Sequence, residues 1–121
     1  AVISGWFNER RKKLIAAKDE DNPSPFLPRV HRSEYYLTDL LSRFGDAELA
    51  WMIAPRPVMI EAGTKDDSVN YKFAREEFQR VQNVYEKLHM AGRAQFAQFE
   101  GPHEINGTES FPFIDRWLKH E

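Results

Sequence analysis

An acid and an imidazole sit in two glycine turns, each following an apolar run. Asp66 closes the turn GTKD at residues 63–66, and His103 lies in EGPHEING at residues 100–107, boxed between Gly101-Pro102 and Glu104. A histidine held so tightly in a loop is more often functional than structural. An acid beside it would hydrogen-bond one ring nitrogen, fix the tautomer and leave the other nitrogen free to accept a proton. Acyl transfer uses that pairing. Taken singly, each residue has a plainer reading. Asp66 can end a strand or cap the helix starting near Asn70, and His103 can be a hydrogen-bonded turn residue. Asp67, the adjacent acid, stands as an alternative to Asp66.

For the two turns to meet, the runs before them must be neighbouring strands whose carboxyl ends share one rim, where open α/β sheets gather their reactive groups. The run VMIEA at residues 58–62 and the looser alternation at residues 95–99 supply those strands, and the apolar start at residues 2–5 supplies a third. Between them, Tyr71, Ala74, Phe78, Val81, Tyr85 and Leu88 recur in steps of three and four, which predicts a helix over residues 71–91 stopped by Gly92. A terminal helix is expected over residues 108–120, with Phe111, Ile114, Trp117 and Leu118 as its apolar stripe and Pro112 tolerated in its first turn.

The stretch from residue 8 to 53 reads as a helical excursion between the first two strands, lid-like in position. Its charged, proline-bearing start gives way to a helix capped by Ser33, carrying Tyr36, Leu37, Leu40, Leu41 and Phe44 and ended by a left-handed Gly45. Asp46 then caps a short helix over residues 47–53, which Pro55 and Pro57 terminate, with Trp51 in the core. Alternating elements of this kind predict an α/β fold, a three-layer parallel sheet with flanking helices. Trp6, Phe7 and Asn8, after the first strand, are the candidate substrate-binding residues.

Composition narrows the function classes. Seventeen Lys+Arg against nineteen Asp+Glu give a net charge of −2, so no whole-chain field draws nucleic acid or an anionic membrane. The basic run Arg10-Arg-Lys-Lys13 is answered by Asp19-Glu-Asp21 and reads as a solvated helix face. The absence of cysteine removes disulfides, thiolate nucleophiles and Cys-bearing zinc sites, but does not fix a compartment. No apolar run has the length of a membrane span. His103-Glu104 lacks the second histidine of H-E-x-x-H, so no metal site is expected.

The run IAPRPVMIEAGTKD at residues 53–66, GPHEING at residues 101–107 and FPFIDRWL at residues 111–118 together resemble the carboxyl-terminal part of the α/β-hydrolase superfamily. Within it the chain is most similar to the dienelactone-hydrolase and acetyl-xylan-esterase-like branch, over nearly its whole length and least over residues 9–32. The resemblance implies that the G-x-x-D acid falls on Asp66 and the G-x-H-x-x-x-G histidine on His103, with Asp67 in a slot where the family often carries proline. It also implies a small-molecule or carbohydrate ester substrate, no cofactor, and a serine nucleophile in a G-x-S-x-G elbow. No serine here is flanked that way: neither Ser4 nor Ser68 has the required glycines. Since the family's order is serine, acid, histidine, the serine is expected upstream of residue 1, and the chain is read as a single partial domain, inactive by itself. A non-catalytic interaction module and a pseudo-enzyme of the same fold remain open. The interaction module needs the missing amino-terminal half or a second copy to cover a bare sheet edge.

Overall fold

The computed structural model describes residues 1–12 and 43–119. Its three strands, β1 (Val2–Ser4), β2 (Val58–Gly63) and β3 (Ala94–Phe99), form one sheet in the order β1-β2-β3 with every pairing parallel. Ser4 lies level with Glu61, and Gly63 with Phe99, so the turns that follow β2 and β3 leave the same edge side by side. All six β2 residues are buried, as a central strand covered on both faces requires.

Alternation along β2 divides the core in two. Val58, Ile60 and Ala62 join Ala74, Phe78, Val81 and Tyr85 of α2 (Tyr71–Lys87), with Ala47 and Ala50 of α1 (Asp46–Trp51) beside them. On the opposite face, Met59 and Ala97 meet Phe113 of α3 (Ser110–Leu118). The chain is therefore α/β, a small parallel sheet with flanking helices. Tyr85 also donates its hydroxyl to the Arg56 carbonyl at 2.7 Å, tying α2 to the segment that leads into β2.

Several boundaries differ from expectation for identifiable reasons. Asp46 is the first residue of α1 rather than its cap, and Gly45 is extended rather than left-handed, with φ −93 and ψ −179. The orphan N–H groups there are met by glutamates: Glu48 accepts from Gly45 at 2.8 Å, and Glu77, buried on α2, accepts from Ala47 at 2.8 Å. That frees the Asp46 carboxylate to pair with Arg10 and to accept the Asn8 N–H at 2.8 Å. Trp51 is half-buried against the larger core cluster.

α2 ends at Lys87, and the left-handed residue that stops it is His89, with φ 58, while Gly92 sits in a short turn of 3-10 helix, Ala91–Arg93. On α3 the sheet receives Ser110 and Phe113, with Trp117 half-buried edge-on to Phe113. Phe111, Ile114 and Leu118, expected inside, lie on the solvent side, because the helix starts at Ser110 and is turned with its 110/113/117 row inward. The expected helix over residues 33–44 lies outside the described residues except at its very end, as does most of the excursion from 8 to 53.

Candidate functional site

Backbone hydrogen bonds continue past the strands and bring the acid turn to the histidine turn. Thr64 donates to the Phe99 carbonyl and Lys65 to the Gly101 carbonyl, each at 2.9 Å. The crossing is so close that a Cβ on Gly63 would stand 2.4 Å from the Gly101 carbonyl oxygen, so no larger residue fits there without moving the histidine loop.

Asp66 and His103 meet across this junction, with Nδ1 of the ring 2.9 Å from Oδ2 of the carboxylate. The other oxygen, Oδ1, accepts the N–H groups of Ser68 at 2.7 Å and Val69 at 3.0 Å, so the carboxylate is anchored before it reaches the ring. Its side chain is 1% exposed, against 52% for that of His103. A buried acceptor facing Nδ1 selects the Nδ1–H tautomer, which leaves a lone pair on Nε2. The neighbouring Asp67 is exposed, and Asp66 is the acid brought to the ring.

The imidazole has crossed the sheet to reach its place. It lies over Gly5, just past the end of β1, where a Cβ would come within 2.8 Å of its Cε1. Gly5 has φ +63, a conformation open to glycine and strained for other residues, and its bare Cα is the floor on which the ring rests.

Comparisons with family models, with curated proteins and with solved structures find no match.

The substrate-binding candidates separate. Trp6, 46% exposed, and Phe7, a core residue, line a largely apolar cavity of about 260 Å³ with Ile3, Leu49 and Ile53. Asn8 is buried and its side-chain amide makes no hydrogen bond among the described residues, while its backbone N–H serves Asp46. Among the described residues, no three His, Asp or Glu side chains converge as a metal site would require, and no helix is long and apolar enough to cross a membrane.

Glu61 was not singled out by the sequence reading. This carboxylate, buried within β2, accepts four hydrogen bonds: from the Ser4 hydroxyl at 3.0 Å, the Asn106 N–H at 2.9 Å, the Gly107 N–H at 3.2 Å and the Ser110 hydroxyl at 2.8 Å. Burial pushes its carboxyl up, but the donors, Ser110 foremost and then Asn106, Ser4 and Gly107, outweigh burial and hold it below the ordinary carboxylate range. The available signal was an acid inside an otherwise apolar strand.

Proposed function

We propose that this chain carries the acid and the histidine of a Ser-Asp-His triad in a serine-dependent carboxylic-ester hydrolase of α/β-hydrolase fold, in the dienelactone-hydrolase and acetyl-xylan-esterase-like branch. The serine would lie upstream of residue 1. The observation that supports the reading is the 2.9 Å contact between Asp66 Oδ2 and His103 Nδ1, made by the turns after two adjacent parallel strands. Nε2 of His103 would take the serine proton as the hydroxyl attacks the ester carbonyl, and Asp66 would stabilise the resulting imidazolium. The same proton would pass to the leaving alcohol, and water would repeat the sequence to release the acid. The apolar cavity beside Trp6 and Phe7 suits the acyl or alcohol part of a small ester or a carbohydrate ester. This chemistry draws on no cofactor.

The test uses the protein extended amino-terminally and p-nitrophenyl acetate as substrate. Asp66→Asn is expected to lower kcat on the order of ten-thousandfold by imposing the wrong tautomer, and His103→Ala by at least as much. A fluorophosphonate probe should label an upstream serine and leave residues 1–121 alone untouched. Turnover that survives His103→Ala, or labelling within residues 1–121, would sink the reading.

A second reading, an interaction module, draws support from exposed surface. Among the described residues no strand pairs with the outer edge of β1, and Phe111, Ile114 and Leu118 form an exposed apolar row on α3.

A further inference from the structure

We infer that Glu61 is the positioning residue of the histidine loop, the group that holds the imidazole in register with Asp66. The inference rests on the triad reading above, and it concerns how the ring is placed rather than what it does.

The loop from Glu100 to Glu109 has no regular secondary structure, yet it must deliver a ring across β2 to the end of β1. Its start is fixed by the Lys65 N–H on the Gly101 carbonyl. The contact with Asp66 is one hydrogen bond on a half-exposed ring. Such a bond offsets roughly the cost of ordering a single residue, so it cannot organise the loop that carries it.

The far side of the loop is held by Glu61. Oε1 takes the Asn106 N–H and Oε2 takes the Gly107 N–H, two consecutive donors of the segment that leaves the histidine. Oε2 also takes the Ser110 hydroxyl, which seats the first residue of α3. The Ser4 hydroxyl lies 3.0 Å from Oε1 and 3.3 Å from the Glu104 carbonyl, sharing its proton between the carboxylate and the residue next to His103. One carboxylate therefore joins β1, β2, the histidine loop and α3.

Its ionisation matters, because an ionised carboxylate only accepts and all four partners here donate to it. A glutamine at this position would turn an NH2 group toward at least one of them. A buried central strand would otherwise favour an apolar residue, and a carboxylate is costly there without its donors.

The experiment is performed on residues 1–121 at about pH 9, well above the ordinary imidazole range. Long-range proton–nitrogen correlation reads the His103 tautomer, and amide exchange reads Asn106 and Gly107. The wild type is expected to show the Nδ1–H tautomer and protected amides. In Glu61→Gln, exchange at both amides should accelerate about tenfold or more, and His103 should shift toward Nε2–H, while the amides of Ile60 and Ala97 keep their protection. Ser110→Ala, which keeps the charge and removes one donor, should give a smaller change in the same direction and serves if Glu61→Gln does not fold. In the extended esterase, Glu61→Gln should lower kcat on the order of a hundredfold, the effect of displacing a catalytic group by about 1 Å, with KM unchanged. Faster amide exchange with an unchanged tautomer in both variants would overturn the positioning role while leaving the triad reading intact. A wild-type His103 already in the Nε2–H form would overturn both.

Discussion

Asp66 and His103 share a hydrogen bond but not an environment: the carboxylate is buried and triply engaged, and the ring is half exposed, with Nε2 making no hydrogen bond among the described residues. A proton acceptor needs this asymmetry, with its orienting partner fixed and its working atom accessible. Glu61 gives the site a further dependence on pH. Its carboxyl is held below the ordinary value of 4.5, so the folded state binds its proton more weakly than the unfolded chain does. Its contribution to stability is complete above that ordinary value and is lost as the pH falls through the lower folded value. Urea midpoints taken between about pH 6 and pH 3 should fall more steeply for the wild type than for Glu61→Gln; parallel slopes would show that the carboxylate gains nothing from its donors. The sequence displayed Asp66 and His103 because each sits in a turn marked by glycine. Glu61 was hidden because its four partners come from β1, the histidine loop and α3, a set that only the fold assembles.

Among the elements, α2 was the most legible, since its stripe of Ala74, Phe78, Val81 and Tyr85 is a local periodicity that burial then enforces. Its end was misplaced because a local hydrogen-bonded closure and one tertiary contact outweighed the glycine. Met90 donates to the Tyr85 carbonyl at 2.8 Å and His89 to the Glu86 carbonyl at 2.9 Å, which closes a Schellman motif. Met90 packs against the same core as Tyr85 and sets where the chain must turn. His89 pays the strain of φ 58. Replacing it with glycine is expected to stabilise the fold by about 0.5 to 1 kcal/mol, read as a higher urea midpoint with an unchanged slope; a lower midpoint would show that the imidazole makes a contact worth more than the strain. For α3, apolar residues lie on two rows, and sequence alone does not say which row faces the sheet.

Across the whole molecule, a parallel sheet of three strands leaves the outer edge of β1 without a partner strand among the described residues, and the solvent row of α3 adds Phe111, Ile114 and Leu118. Exposed apolar surface of this kind, beside an unpaired strand edge, favours association. Light scattering on residues 1–121 at micromolar concentration should therefore give a mass above 14.2 kDa, and a double substitution Ile114→Glu, Leu118→Glu should shift it toward the monomer. A wild type that is monomeric throughout would remove the interaction reading.

The sequence by itself determined the order and type of the main elements and the two turns that carry the acid and the imidazole. Apolar periodicity and glycine punctuation are properties of neighbouring residues, and they survive whatever else the chain does. Only the tertiary structure decided that Asp66 rather than Asp67 meets the ring, that α3 turns its 110/113/117 row inward, and that Glu61 binds the histidine loop. Each of those outcomes depends on groups far apart in the chain competing for the same space or the same hydrogen bond, and no local pattern records who wins.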